Sequence, residues 1–344
     1  MNWSKLIPLG FLIAVGVFVY YTQPDDTVIR ITGSTMGTTY EVTVRKLPPK
    51  MSAEEFQQRI EQVLADVNQR YSHYDPNSEI SQFNQSQSTD WHNIEPESRG
   101  LYEYSQTVYK NSGGAFDITL EPLILLWNFS NSPETFRVPT EEQIEQALSL
   151  CGTEKLMVRR RGSLKKSIPE LQLNLSAIAK GYGVDQVAEL LRVHHLEDFL
   201  VNIGGEIYAS GTRDGQNGWR LGIEKPIPGL RSIQQVIELQ DVAMATSGSY
   251  RNFFEVDGVR YSHTIDPRTG RPVKHKLHSV SVLSESCLFA DAWATAIMVM
   301  GPEEGMEWAL ENHITASIIY EDEQGQLQQT ATPDFPNPIS PTAN

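Results

Sequence analysis

Apolar residues alternate with polar residues in many short segments of the chain, a pattern typical of strands with one buried face. Residues 27–46 predict two such strands, and the small polar residues of Gly33–Thr38 between them predict a hairpin with a functional tip. The dipeptide Asp257-Gly258 predicts a second hairpin, because this pair favours the tight turns that join antiparallel strands. Further strands are predicted over 199–203, 206–209, 219–223, 236–239, 253–256, 259–262 and 278–283.

Apolar residues at helical spacing lie between these groups of strands. Ser52 and Glu55 form a capping box before a helix that runs to about Arg70, and Gly301 closes a helix that begins at Cys287. Helices are predicted over 52–70, 98–110, 140–152, 176–193 and 287–300. Helices and strands are mixed without a regular strand–helix–strand repeat, and several strands form hairpins. We therefore expect an α+β fold with mostly antiparallel sheets and flanking helices.

The first 25 residues predict a membrane anchor. Ile7–Tyr21 is almost entirely apolar, follows Lys5 and precedes Asp25 and Asp26. This run is short for a membrane span but suits a signal segment or an N-terminal anchor, and its charge asymmetry predicts that the chain after residue 25 is exported. The bulky residues 17–21 offer no small-residue cleavage site, which favours an uncleaved anchor over a cleaved signal peptide.

The rest of the chain predicts one domain over 26–329 and a disordered tail over 330–344, which holds four prolines and few large apolar residues. The 43 acidic and 28 basic residues give a net charge of −15, which disfavours binding to nucleic acid. Two cysteines are too few for a disulfide framework. The sequence leaves open whether Cys151 and Cys287 pair with each other or are buried as free thiols.

The helix predicted over 287–300 is apolar on nearly all sides, which indicates burial. Asp291 and Thr295 lie one turn apart on one face of it. A buried carboxylate is costly unless it is paired or bound to a cation, and a carboxylate beside a hydroxyl offers the oxygen ligands that Mg²⁺ accepts. Alternatively, Asp291 interacts with the helix dipole and Thr295 bonds to a backbone carbonyl.

The segment 173–183 predicts a strand that leads into a helix, with Lys180 about one turn inside that helix. The free N–H groups of a helix N-terminus attract phosphate, and a lysine adds a positive charge. Gly181 and Gly183 suit either the approach of a ligand or close helix packing, and the spacing of a Walker phosphate-binding loop is absent.

A histidine and an aspartate precede a turn in the segment 263–270. His263 and Asp266 suit a general base or a phosphate contact, although a lone histidine also suits a structural role. In the segment 202–206, two adjacent glycines between strands indicate either a tight turn or the approach of a ligand.

Taken together and in this order, these segments resemble the ApbE family, the FAD:protein FMN transferases. The resemblance runs from about Gly33 to Met300, and each motif is weak alone whereas eight motifs in one order are specific. The motifs are Gly33–Thr38, Tyr74 with Ser78–Ser81 and Asn84, Gly114–Thr119, 173–183, Asn202–Gly205, Thr246–Gly248, His263–Gly270, and Ala290–Ala292 with Thr295. The resemblance implies an α+β architecture related to the T-fold.

The resemblance also implies roles for individual residues. FAD contacts are implied at Met36, Tyr74, Ala115, Phe116, Asp117, Asn174, Lys180 and Ile265. A Mg²⁺ site is implied at the backbone carbonyl of Ala177, the carboxylate of Asp291 and the hydroxyl of Thr295, with His263 assisting the transfer and Asp266 as a second candidate. Asn174 departs from the family, which commonly has aspartate there, and an amide brings no negative charge.

The implied reaction moves FMN from FAD to a threonine or serine hydroxyl of an acceptor flavoprotein and releases AMP. The resemblance implies an acceptor that is a membrane-associated redox subunit. The expected location is the bacterial inner membrane, with the catalytic domain on the periplasmic side. Two alternatives are a Mg²⁺-dependent FAD pyrophosphatase that yields FMN and AMP, and a flavin-binding protein without turnover.

Overall fold

The computed structural model describes residues 17–19, 28–129, 137–159, 162–227, 232–249, 253–256 and 259–339. The helices are Ala53–Tyr71 (α1), Glu79–Gln85 (α2), Arg99–Asn111 (α3), Glu121–Trp127 (α4), Glu141–Leu150 (α5), Ala179–Val193 (α6), Cys287–Met300 (α7) and Pro302–Glu311 (α8). The strands are Val17–Val19 (β1), Ile29–Thr35 (β2), Thr38–Val44 (β3), His92–Asn93 (β4), Leu156–Arg159 (β5), Ser163–Lys166 (β6), Phe199–Ile203 (β7), Glu206–Ser210 (β8), Trp219–Glu224 (β9), Ile233–Leu239 (β10), Val242–Gly248 (β11), Phe253–Val256 (β12), Val259–Ser262 (β13), Ile265–Asp266 (β14), Arg271–Pro272 (β15), Leu277–Ser284 (β16), Thr315–Glu321 (β17) and Leu327–Ala331 (β18).

An eight-stranded sheet forms the centre of the molecule, in the order β18-β17-β16-β11-β8-β7-β3-β2. Every neighbouring pair in it is antiparallel. The shorter strands form β1-β9-β10, β4-β6-β5 and the hairpins β12-β13 and β14-β15. The prediction of a mixed fold of helices and strands with mostly antiparallel sheets is confirmed.

Both faces of the central sheet are covered. On one face, Phe56 and Ile60 of α1 pack with Val42 and Val201 of the sheet and with apolar residues of α6. On the other face, Leu200 packs in the cluster formed with β9 and β10. Because neighbouring side chains of a strand point to opposite faces, β7 is apolar at nearly every position.

Helix α7 lies between the central sheet and a second apolar layer. One side of α7 packs on β11 and β16. Its other side contributes Leu288, Ala292 and Ala296 to a cluster with α2, α3 and the segment 171–178. Burial on both sides explains why α7 is apolar all round, as its sequence predicts.

Helix α6 begins at Ala179 and not at Ser176, where the sequence predicted its start. The side-chain oxygen of Asn174 accepts a hydrogen bond from the N–H of Ser176 at 2.9 Å, and residues 176–178 form a turn. A side chain that bonds to the backbone two residues on favours a turn over a helix. Ala177 therefore lies in this turn, with its carbonyl outside the helix.

The predicted disordered tail is wrong for residues 330–339. Thr330 and Ala331 belong to β18, Phe335 is 7% exposed, and Ile339 pairs with Val236. Proline-rich composition indicated disorder, but Phe335 packs in the cluster between the central sheet and β10. Residues 340–344 lie outside the described residues.

The predicted anchor, residues 1–25, lies outside the described residues except for β1, which pairs with β9. Within the described ranges, no helix has both the length and the apolar character needed to cross a membrane. The hairpin predicted at Asp257-Gly258 is confirmed by the pairing of β12 with β13, although these two residues are not described. Cys151 and Cys287 are both buried and free, so they do not pair.

Candidate active site

Helices α6 and α7 approach each other closely at the centre of the candidate site. The backbone N–H of Gly181 on α6 donates a hydrogen bond to Oδ2 of Asp291 on α7, at 3.0 Å. A Cβ atom at position 181 would lie 2.9 Å from Cβ of Asp291 and closer still to the carbonyl oxygen of Cys287. Close helix packing therefore requires this glycine, which is one of the two interpretations that the sequence left open.

A half-buried carboxylate of α6 holds the start of α7. Asp185 accepts hydrogen bonds from the hydroxyl of Ser286 at 2.6 Å and from the N–H groups of Cys287 and Leu288 at 2.8 and 3.0 Å. The first N–H groups of a helix have no partner within it, so an acceptor there is stabilising. Asp185 thereby fixes α7 against α6, and Asp291 with it.

Lys180, Glu206 and Asp291 form a charged cluster between α6, α7 and the central sheet. Nζ of Lys180 forms an ion pair with Oε1 of Glu206, whose side chain is 1% exposed. The second carboxylate oxygen of Glu206 is buried and has no hydrogen-bond partner in the described part of the chain. Burial raises the pKa of Glu206 and that of Asp291, and Lys180 opposes both shifts. Burial lowers the pKa of Lys180, but its attraction to the two carboxylates outweighs burial and raises that pKa.

The charge balance of this cluster fits a divalent cation. One lysine faces Glu206 and Asp291, and Asp185 adds a third carboxylate whose charge acts on Asp291. Excess buried negative charge is costly unless a cation compensates it.

The donors expected for Mg²⁺ lie at this helix pair, Ala177 just before α6 and Thr295 one turn after Asp291. Both are half-buried. The described residues contain no group of three or more His, Cys, Asp and Glu that could hold a metal ion. The expected site combines one carboxylate with a carbonyl and a hydroxyl, a donor set that such a grouping does not contain.

Asn174 lies buried at the other end of the segment that leads into α6. Its amide nitrogen donates to Oε2 of Glu121 at 2.6 Å, and its amide oxygen accepts from the N–H of Ser176. Its backbone N–H donates to the carbonyl of Ile118 at 2.7 Å. An aspartate at 174 would place two buried carboxylates within hydrogen-bond distance, which is unfavourable. Asparagine is therefore the residue compatible with Glu121.

The stretch Ala115, Phe116 and Asp117 is buried, and Phe116 packs against α7. The Asp117 carboxylate accepts hydrogen bonds from the N–H and hydroxyl of Thr119, both at 2.7 Å. It also accepts from the hydroxyl and N–H of Thr153, at 2.7 and 3.3 Å. Burial raises the pKa of Asp117, and these donors oppose the shift. Because its carboxylate is engaged within the protein, we expect the FAD contact of this stretch to come from its backbone.

Met36 and Tyr74 reach the segment 174–183 from two other parts of the chain. Met36 occupies the turn between β2 and β3 with φ 49°, and its methyl group lies beside Gly183 of α6. Tyr74 is 71% exposed, and its ring centroid lies 3.9 Å from that of His73. Nδ1 of His73 lies 3.5 Å from the hydroxyl of Ser176. Both predicted FAD contacts therefore border the same segment.

The segment 263–270 approaches α7 through β14. His263 is half-buried directly after β13, and Ile265 is buried in the cluster around α4 and α5. Both oxygens of Asp266 accept from Arg268, with Nε at 3.0 and 3.3 Å and Nη2 at 3.1 Å. The Asp266 carboxylate is thus engaged by a guanidinium within the protein. Of the two predicted catalytic residues, His263 is the better placed to accept a proton.

Sequence reasoning missed two carboxylates of the site, Glu206 and Glu121. Glu206 lies in a strand whose next three residues are buried, and a carboxylate in such a strand needs a partner. That signal was present, but the partner, Lys180, is remote in sequence. Glu121 begins α4, where an acidic residue is common, so nothing in the sequence indicated its contact with Asn174.

The chain is similar in sequence to known proteins of one family. The model of the ApbE family matches residues 36–318. A curated relative from Vibrio cholerae serotype O1, named FAD:protein FMN transferase, is 42% identical over 298 residues, which are 86% of this chain and 89% of that protein. A relative of the same name from Haemophilus influenzae is 34% identical over 335 residues, 96% of this chain and 97% of that protein.

Solved structures show the same fold. The structure of the flavin transferase ApbE from Vibrio cholerae has a TM-score of 0.81 to this chain at 40% identity, covering 90% of this chain and 98% of that one. The apo structure of the flavinyl transferase ApbE from Pseudomonas stutzeri has a TM-score of 0.80 at 37% identity, covering 89% and 95%.

Proposed function

This chain belongs to the ApbE family, and on that premise we propose that it is an FAD:protein FMN transferase. It transfers the FMN part of FAD to a threonine or serine hydroxyl of an acceptor protein and releases AMP. The observation that carries the proposal is the cluster of half-buried Lys180 with the buried carboxylates of Glu206 and Asp291 at the junction of α6 and α7. The named relatives are transferases, which favours transfer over FAD hydrolysis and over flavin binding without turnover.

Asp291, Thr295 and the carbonyl of Ala177 would hold a Mg²⁺ ion. The buried excess of negative charge and the unpartnered oxygen of Glu206 support a cation here. When bound, Mg²⁺ neutralises charge on the FAD diphosphate and on the departing AMP phosphate. Gly181 fixes one oxygen of Asp291 through its N–H, so the orientation of the carboxylate is set before any ligand binds.

Lys180 and His263 have separate tasks in this proposal. Lys180, held by Glu206, presents its ammonium group to a phosphate oxygen of FAD. His263 accepts the proton of the acceptor hydroxyl as its oxygen attacks the phosphorus on the FMN side. The bond between that phosphorus and the bridging oxygen breaks, and AMP leaves with the oxygen. Asp266 holds Arg268 and so supports the segment that carries His263.

In this proposal, the apolar N-terminal segment determines where the enzyme is located. The apolar run that begins at Ile7, after Lys5, anchors the chain in the inner membrane with the domain on the periplasmic side. Acceptors are then redox subunits on the same membrane face, where tethering raises their effective concentration. The relation of this architecture to the T-fold is part of the same proposal.

The test is transfer itself. The full chain in detergent is incubated with FAD, Mg²⁺ and a flavoprotein subunit that carries an unmodified acceptor threonine, and the intact mass of the subunit is measured. A mass gain equal to one FMN phosphoester, lost when a chelator is added, is the expected result. Free FMN and AMP without a mass gain would favour hydrolysis, and unchanged FAD would favour a binding protein.

A further inference from the structure

Glu121 is a buried carboxylate with a single strong partner. It is 8% exposed, and its Oε2 accepts from the amide of Asn174 at 2.6 Å. No lysine or arginine of the described ranges forms an ion pair with it. A buried carboxylate normally collects several donors or a counter-ion. Glu121 therefore retains acceptor capacity that the protein does not use.

The orientation of the Asn174 amide is fixed from both sides. Its nitrogen can only donate, and it meets the Glu121 carboxylate, whereas its oxygen can only accept, and it meets the N–H of Ser176. Because Asn174 is itself 5% exposed, this geometry holds Glu121 rigidly beside the segment that leads to Lys180. A rigid acceptor of this kind suits recognition of a ligand.

Glu121 borders the exposed surface next to that segment. Its charge acts on both His73 and Tyr74: burial lowers the pKa of His73 and Glu121 opposes that shift, while burial and Glu121 together raise the pKa of Tyr74. Tyr74 is largely exposed and His73 lies beside Ser176. A ligand that lies along 174–180 would meet this group at one end and Lys180 at the other.

The two ends of this segment differ in charge. Lys180 attracts phosphate, whereas a carboxylate repels it and favours a neutral hydrogen-bond donor. FAD offers such donors on its ribose, ribityl and ring groups, outside the diphosphate. We propose that Glu121 is a specificity-determining residue of the flavin-nucleotide pocket, whose carboxylate accepts a hydrogen bond from a hydroxyl or ring N–H of FAD while Asn174 holds it in place.

This inference rests on the proposed function, and it is tested by binding without turnover. The full chain is titrated with FAD in the absence of acceptor, and dissociation constants are taken from flavin fluorescence. Glu121→Gln keeps the size, but its amide oxygen must accept from Asn174, so its amide nitrogen faces the FAD donor and FAD binding should weaken about 10-fold or more. Glu142→Gln is the matched control, an exposed glutamate in the first turn of α5, and it should bind FAD as the wild type does.

Exchanging the carboxylate and the amide between positions 121 and 174 distinguishes an effect on FAD binding from an effect on folding. Asn174→Asp alone places two carboxylates together and should weaken binding and lower the thermal midpoint. In the double variant Glu121→Gln with Asn174→Asp, the amide nitrogen at position 121 can donate to the carboxylate at position 174 and the amide oxygen again faces FAD, so the double variant should bind FAD within about threefold of the wild type. Titrations with AMP and with FMN then show which half of FAD meets Glu121, because only that half should lose affinity in Glu121→Gln.

Equal FAD affinity of Glu121→Gln and the wild type, with only a lower thermal midpoint, would overturn the inference and leave Glu121 a structural residue of α4. A loss of affinity that the double variant does not restore would also overturn the paired arrangement. If the wild type bound FAD but transferred no FMN, the proposed function would fail while the binding comparison still decided the role of Glu121. If the wild type bound no FAD, both would fail.

Discussion

Asp117 and Asp291 are both buried aspartates from motifs that the sequence singles out, yet their surroundings differ. Asp117 accepts four hydrogen bonds, all from Thr119 and Thr153. Asp291 accepts one from Gly181 and faces Lys180 and a second carboxylate. Both carboxylates are buried, so burial does not distinguish them. The number of hydrogen-bond donors around each one does: a carboxylate with all its donors supplied by the protein stabilises a loop, whereas one with few donors can bind a cation.

Replacing Asp291 with asparagine should have the largest effect on the reaction. Asparagine can still accept from Gly181, so the contact between the helices remains, but the charge that would bind Mg²⁺ is lost. We expect FMN transfer to fall about 100- to 1,000-fold or more, as on loss of a group that stabilises transition-state charge. Acceptor mass measured over time gives the rate.

The thermal midpoint of the Asp291→Asn protein should be unchanged or higher, because a buried charge has been removed. A rate within a few-fold of the wild type, with the same Mg²⁺ dependence, would show that Asp291 is not a ligand.

Asp117→Asn should have the opposite effects, a loss of stability with little change in the transfer rate. An amide cannot accept at both positions, so at least one buried donor of Thr119 or Thr153 loses its partner, at a cost of about 1–3 kcal/mol in the free energy of unfolding. Transfer per folded molecule should stay within a few-fold of the wild type. Urea unfolding and the transfer rate at a temperature where both proteins are folded measure the two effects. A large loss of rate without loss of stability would place the Asp117 carboxylate on FAD.

Gly181→Ala tests whether close packing of α6 on α7 is needed to position Asp291. The added methyl group would meet the carbonyl of Cys287 and Cβ of Asp291, so α6 and α7 must separate. Overpacking of this kind costs about 1–3 kcal/mol. We expect both a lower free energy of unfolding and a higher Mg²⁺ concentration for half-maximal transfer. Gly100→Ala is the control, because a Cβ atom there meets nothing within 4 Å.

The sequence predicted the elements whose signals are local. Capping residues and apolar spacing located α1 and α7, and alternation located five strands of the central sheet, β2, β3, β7, β8 and β16, whereas β11, β17 and β18 were not predicted. It misplaced the start of α6, because the Asn174 side chain bonds to the backbone and favours a turn. It also missed the order of residues 330–339, because the burial of Phe335 depends on a sheet formed by distant strands.

The sequence predicted several individual residues of the site, but it did not predict which residues contact each other. Asp291 and Thr295 were found because one helix carries both, and Lys180 because it follows a helix start. The partners Glu206 and Glu121 became visible only when the fold brought each to its contact, with Lys180 and Asn174 respectively. Hydrogen bonds between remote positions likewise explain why Asp117, implied as a ligand contact, has its carboxylate engaged by Thr153.

The smallest expected effect is on the pH dependence of stability. Burial raises the pKa of Asp291 to about 6 in the metal-free protein, against the opposing effect of Lys180. A carboxyl group with a raised folded-state pKa contributes stability that is complete below its unfolded pKa and is lost as the pH rises through its folded pKa. With a chelator present, the free energy of unfolding should therefore fall between about pH 4 and pH 7, by on the order of 1 kcal/mol or more. Asp291→Asn lacks this contribution but keeps those of Asp117 and Glu206, so urea unfolding should show a shallower fall for the variant. Mg²⁺ should remove the difference in slope by binding the ionised carboxylate of the wild type. Parallel curves for the two proteins without metal would mean that the ionised Asp291 carboxylate is already compensated by its protein neighbours.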